Sequence, residues 1–240
     1  MPSLNAKACE SISRRGGDSS FTLRERFRRT MHYQTVDRIP NFEFGYWDET
    51  LPAWHLQGLP SEINTEAKAY KFFGIEDYPW APVECGIWPA FEYQILEEDK
   101  SRRVIIDQEG IKCQVYSDGT TTIPHFLEYP IKGPADWCEF KRRLQPDTPG
   151  RYPDNWPVLT ESWRERDVPL AISIGSIIGW PRNWMGVERV CTAFYDEPAM
   201  MAEIVGHLGD LICAAIEPAL QQVEFDLAFA WEDICIEMAR

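Results

Sequence analysis

The chain has 240 residues, 44% of them hydrophobic and 13% aromatic, which is enough apolar material for a sizeable core in one large or two small domains. Its formal net charge is −14, and because the first thirty residues hold seven Lys or Arg against three Asp or Glu, the remaining 210 carry about −18. Phosphate binding draws on clustered cationic charge, so this balance argues against a nucleic-acid partner.

Residues 1–20 lack the apolar core of a secretory signal and are read as a flexible tail; nowhere do eighteen apolar residues run together as a membrane span requires. A soluble cytoplasmic protein with no membrane partner is expected. The seven cysteines (Cys9, Cys85, Cys113, Cys138, Cys191, Cys213 and Cys235) are odd in number and contain no C-x-x-C, which fits reduced thiols better than a disulfide framework.

In chain order, the first helix is predicted to start at Thr22, where Thr22 and Glu25 form a capping box and Leu23, Phe27 and Met31 recur on one face. The arginines around it, Arg14 to Arg29, read either as a solvated face or as an anionic contact. Asp37-Arg38-Ile39-Pro40 ends that segment, and Asn41 to Tyr46 is expected as a first buried strand. Helices near 48–57 and 65–73 should end at Gly58 and Gly74, with a second strand at 81–87.

Residues 91–128 change character, with β-rich runs Arg102–Asp107 and Ile111–Tyr116 around a Gln108-Glu109-Gly110 turn, and predict an antiparallel excursion. Pro134 opens a helix bearing Trp137, Phe140 and Leu144, and the proline-rich stretch 145–157 reads as an ordered connection. The continuous apolar run Val168–Ile174 predicts a strand covered on both faces, followed by helix over about 186–222 that restarts at Asp196-Glu-Pro198. A last strand is expected at Asp226–Trp231. The sum is an α/β chain with about four strand-helix units, the last incomplete.

Arg24-Glu-Arg-Phe27, Val36-Asp-Arg-Ile-Pro40, Asp107-Gln-Glu-Gly110, Trp137-Cys-Glu-Phe-Lys141, Gly186-Val-Glu188 with Asp196-Glu-Pro198, and Trp231-Glu-Asp233 together resemble the uroporphyrinogen decarboxylase superfamily across about residues 20–236. That resemblance implies a TIM (β/α)8 barrel, here partial, over 21–240, with its site at the C-terminal ends of the strands. Four of eight strands imply either a fragment or two copies that complete one another as a homodimer. The superfamily holds decarboxylases of an eight-carboxylate tetrapyrrole and zinc-dependent methyltransferases that serve corrinoid or thiol cofactors. Fold does not choose between them. A small-molecule substrate is implied in either case, a corrinoid protein as partner in the second, and an inactive truncated barrel is the third reading.

The decarboxylases carry an arginine-rich stretch after the first strand, where guanidinium groups pair with substrate carboxylates. This chain instead reads Glu43-Phe-Gly-Tyr-Trp-Asp48-Glu49, which would repel a polycarboxylate. Glu43 and Tyr46 are the substrate-contact candidates there, whereas Asp48 and Glu49 also suit the start of a helix.

The methyltransferases imply a His-x-Cys pair and a later Cys on zinc. None of His32, His55, His125 or His207 has Cys at +2, but the resemblance places those ligands beyond the fourth strand, so no metal or other cofactor is expected within this chain, and zinc only in a full-length protein. Gly175-Ser-Ile-Ile-Gly179-Trp-Pro-Arg182-Asn183-Trp184-Met-Gly186 is the densest candidate site. Arg182 could hold an anion and Trp180 or Trp184 could stack on a flat ligand, with Asn183 or Trp184 in the place of a substrate-facing tyrosine. The same run also reads as a glycine-punctuated turn whose tryptophans pack on helices. Glu232 and Asp233 end the last strand as acid/base candidates, only one of which can point inward. Glu84 and Cys85 at the end of the second strand are weaker candidates, and Cys85 also reads as a buried structural thiol.

Overall fold

A computed structural model describes residues 21–119 and 123–232. The expected N-terminal tail, Cys9, Cys235 and Asp233 lie outside the described residues. The chain divides into two compact units, one built from residues up to 79 with 165–170 and the other from 80–164 with the residues from 171 onward.

In the first unit, helix α1 (Leu23–Met31) begins where Thr22 Oγ1 accepts the Glu25 amide at 3.1 Å. Its buried face differs from the predicted one. Arg26 and Phe27 are buried while Met31 is 61% exposed. Arg26 tolerates burial because Asp37 accepts from its Nε and Nη2 at 2.8 and 2.9 Å, and Glu76 lies 3.7 Å from Nη1. A fork-on-fork pair of this kind satisfies the guanidinium geometrically. The hydrogen bond from Arg26 holds the Asp37 carboxyl down at about 2.

Helices α2 (Thr50–His55) and α3 (Glu66–Phe73) follow, and α3 ends as expected at Gly74 with φ 67°. Between α1 and α2, however, Asn41–Tyr46 forms no strand. Its backbone donors are drawn off by carboxylates: Glu76 takes the Asn41 amide at 2.9 Å, Glu43 takes that of Phe44 at 3.0 Å, and Glu66 takes that of Tyr46 at 3.3 Å. Gly45 at φ 118° bends the run further.

The second unit carries two sheets. Strands β1 (Trp80–Ala81), β6 (Ala171–Ser173) and β7 (Leu227–Phe229) are parallel in the order β1-β6-β7. Thus three of the four expected strands pair in parallel and in chain order. β1 is much shorter than the predicted 81–87, because Pro82 has no donor, the Val83 amide turns back to Ala81 O, and that of Glu84 goes to Arg151 O. The antiparallel excursion is a four-stranded meander of β2 (Gln94–Glu98), β3 (Arg102–Ile106), β4 (Lys112–Tyr116) and β5 (His125–Glu128).

Helices α4 (Pro134–Phe140), α5 (Trp156–Ser162), α6 (Gly179–Met185), α7 (Val187–Asp196) and α8 (Pro198–Gln222) complete the unit. Trp137, Phe140 and Leu144 are buried as their spacing predicts, in a core with Ile131, Trp184, Met201, Ile204 and Leu208. The break before α8 falls at Glu197, one residue later than the expected Asp196 cap. Glu197 pairs with Arg189 and Pro198 sits at the start of the helix. By length and composition α8 could cross a membrane, yet Met200, Met201, Ile204, Leu208, Leu211, Ala215 and Ala219 face the protein core. The helix thus buries one face, with 39% of its most apolar window covered by the protein.

Candidate active site

The ends of β6 and β7 continue their pairing into two loops: Ile174 N donates to Phe229 O and Trp231 N to Gly175 O, each at 2.9 Å. These bonds bring the loop before α6 against the chain that follows β7. There Glu232 Oε1 accepts from Ser176 Oγ, Ile177 N and Ile178 N at 3.0, 2.5 and 3.1 Å, and Oε2 accepts from Gly179 N at 3.1 Å. Burial pushes this carboxyl upward, but the donated bonds prevail and hold it below the ordinary value. Three consecutive amides converging on one point form a nest suited to an anion, and Glu232 fills it. The geometry makes Glu232 an anchor of the loop, with its lone pairs already engaged.

Two glycines make the close approach feasible. A Cβ on Gly179 would fall 2.6 Å from Ser176 Oγ and 2.8 Å from the Trp231 ring. One on Gly175, where φ is 60°, would fall 2.1 Å from Trp180 Cη2. Trp180 is thereby laid down over the loop, stacked with Trp184 at 6.0 Å and 18°.

Beside these strand ends lies a cleft of about 510 Å³, lined by residues 81–88 and 90, Gln108, Glu109, Ser173, Trp180 and Trp184. Glu109 reaches it from the β3–β4 turn. Asp107 Oδ1 accepts the amides of Glu109 and Ile111 at 2.9 and 2.8 Å, and Gly110 at φ 82° completes a turn tight enough to present the Glu109 side chain. Trp184 Nε1 donates to Glu109 Oε2 at 2.9 Å. Burial pushes Glu109 up and Asp107 adds to it, against the hydrogen bonds from Trp184 and Asn183. Glu109 is a carboxyl that holds its proton to higher pH than an exposed glutamate, the direction that suits a proton-transfer group.

The wall formed by 84–86 rests on Arg151. This buried guanidinium donates from Nη1 to Glu84 O and Gly86 O at 2.7 and 3.0 Å and from Nε to Gln145 O at 2.9 Å; its Nη2 is buried without a hydrogen-bond partner. Cys85 Sγ lies 3.6 Å from Ser173 O, and burial raises its thiol. That is the reverse of what a nucleophilic cysteine needs.

Of the residues singled out from sequence, Glu84 and Trp184 line this cleft and Asn183 touches Glu109. Trp184 is only 1% exposed and packs on Phe140 at 4.7 Å, so its indole holds Glu109 while Trp180 supplies the more accessible ring. Arg182 lies over the Trp231 ring at 4.7 Å and bonds Asn183. Glu43 and Tyr46 belong to the first unit. There Tyr46 lines a separate cleft of about 320 Å³ with Trp47, Asp48, His55 and Glu66, and its hydroxyl is raised by burial and by Glu43 and Glu66.

Sequence reasoning missed Glu109, Arg151 and Ser176 as site residues. Glu109 stands within the Asp107–Gly110 motif, but a turn glutamate between strands carries no signal that it is half-buried. Among the described residues no group of three or more His, Cys, Asp or Glu is placed to hold a metal ion. Compared with known proteins, the chain matches no family model, no curated sequence and no solved structure, so what this site does has to be read from its own groups.

Proposed function

We propose that the chain is the cleft-bearing part of an enzyme of the uroporphyrinogen-decarboxylase-like (β/α)8 class, acting on a small organic substrate with Glu109 as the group that exchanges a proton. The parallel order β1-β6-β7, with helices α6, α7 and α8 between the last two strands, supports an arc of such a barrel. The observation that carries the functional reading is the cleft at the C-terminal ends of these strands, where a carboxyl raised by burial meets an indole donor and a second tryptophan wall.

Between the two activities that the resemblance implies, the lining favours methyl transfer with a corrinoid partner. Its ionisable carboxyls are Glu84 and Glu109, and no Lys or Arg lines it. A tetrapyrrole with eight carboxylates would meet repulsion there in place of guanidinium pairing. In the superfamily methyl transfer to a thiol implies zinc; among the described residues no group of three or more His, Cys, Asp or Glu is placed to hold that ion, so the acceptor thiol is read here as giving its proton to Glu109 and, as thiolate, taking the methyl group from the corrinoid. No step assigned to this chain passes through a metal. A cytoplasmic setting is kept as part of this proposal from the sequence, where the cysteines are odd in number and form no C-x-x-C.

The test is a paired assay on the purified protein, with uroporphyrinogen III in one arm and a methylated corrinoid plus an acceptor thiol in the other, each repeated with Glu109→Gln. Methyl transfer that falls at least about a hundredfold in the variant, as expected on removing a general acid/base, supports the reading. Carboxylate loss from the tetrapyrrole, or no turnover in either arm, refutes it.

A further inference from the structure

The cleft also points to the charge of what it binds. The nearby amide nest and two nearby guanidinium groups are already engaged. Glu232 fills the amide nest at the start of α6, Arg182 lies on Trp231 and Asn183, and Arg151 is buried on three backbone carbonyls outside the lining. Besides Gln108 and Ser173, the cleft is faced by the exposed Glu84, the half-buried Glu109 and the partly accessible rings of Trp88 and Trp180.

Trp88 and Trp180 are held in place. Trp88 Nε1 donates to Pro149 O at 2.7 Å and its ring lies against Gly150, while the Trp180 ring lies against Gly86 and Gly175. Fixed aromatic rings with carboxylates beside them attract an organic cation, through the ring quadrupole and through direct charge pairing. A volume of about 510 Å³ leaves room for a methylated ammonium or sulfonium group with a short chain.

Resting on the functional reading above, we propose that the cleft between β1, β6 and the β3–β4 turn binds a methylated organic cation, with the exposed Glu84 supplying charge, the Glu109 carboxyl a polar wall, and Trp88 and Trp180 ring contacts. The cation is recognised by shape and charge together. A neutral molecule of the same outline lacks the second.

Titration of the whole chain with choline and with its uncharged isostere 3,3-dimethylbutan-1-ol, followed by tryptophan fluorescence and calorimetry, tests this. Choline should bind at least about tenfold more tightly than the isostere, and Glu84→Gln, a substitution at an exposed side chain, should remove most of that difference. Equal affinity for the two probes, or a choline affinity unchanged in Glu84→Gln, overturns the cationic assignment while leaving the cleft as a binding site. Binding of neither probe up to about 10 mM overturns the assignment, while the functional reading stands or falls separately on the paired turnover assay.

Discussion

Replacing Gly175 with alanine tests how firmly the cleft wall is held. The added methyl carbon would sit 2.1, 2.6 and 2.7 Å from Cη2, Cζ2 and Cζ3 of Trp180. This indole is no loose side-chain end, for it also lies 3.1 Å from where a Cβ on Gly86 would be and stacks on buried Trp184. The left-handed backbone at φ 60° costs an alanine about 1–2 kcal/mol. Overpacking against a fixed ring adds about 1–3 kcal/mol, giving roughly 2–5 kcal/mol in total. Gly119 is the control within the same unit, since its φ is 84° and, among the described residues, nothing lies within 4 Å of the place a methyl would take there; Gly119→Ala should cost only the backbone share, about 1–2 kcal/mol. Urea unfolding followed by fluorescence reads both variants through their midpoints at constant slope. The expected result is a clearly larger loss for Gly175→Ala, together with weaker choline binding. Equal losses would mean that Trp180 moves aside freely and that the wall it forms is not preorganised.

Glu232→Gln should destabilise the second unit by about 1.5–3 kcal/mol, the worth of hydrogen bonds to a charged group, since one amide nitrogen would face the Gly179 donor now bonded to Oε2. Because the Glu232 carboxyl is held below its ordinary value, its contribution is present above the unfolded-state value and fades as pH falls through the folded one. The variant should therefore show a flatter stability curve below about pH 4.5, measured by unfolding at a series of pH values. Asp37 behaves in the same direction: it is lowered from 3.8 to about 2 by the Arg26 hydrogen bond, so the first unit should lose stability as pH falls across that interval. Asp37→Asn should abolish this part of the acid response, and an unchanged acid response in the variant would refute it.

Local chemistry was legible in the sequence, and long-range chemistry was not. Thr22 and Gly74 behave as their residue types dictate, since a cap or a left-handed terminus is settled within a few residues. The run Val168–Ile174 announced a covered strand, and Arg102–Tyr116 announced a hairpin, both from periodicity. Arg26 reads as a surface residue in sequence because its burial depends on Asp37 and Glu76, which lie 11 and 50 positions away. Asn41–Tyr46 has the composition of a strand, but carboxylates up to 35 positions distant take its amides. Glu232 was visible as a carboxylate at a strand end. That its oxygens are engaged by a loop 53 to 56 residues earlier could not be read from the residues around it. Glu109 was hidden for a similar reason, since its partners Trp184 and Asn183 arrive from α6.

The most direct measurement on the central claim, that Glu109 is a proton-holding carboxyl in an aromatic cleft, is the indole N–H resonance of Trp184 followed by NMR as pH is varied. Its bond to Glu109 Oε2 makes it a reporter of that carboxyl. The expected result is a titration midpoint above the ordinary glutamate value, displaced downward when choline is added, because a nearby cation favours the ionised form. A midpoint at or below the ordinary value, with no response to choline, would contradict the account.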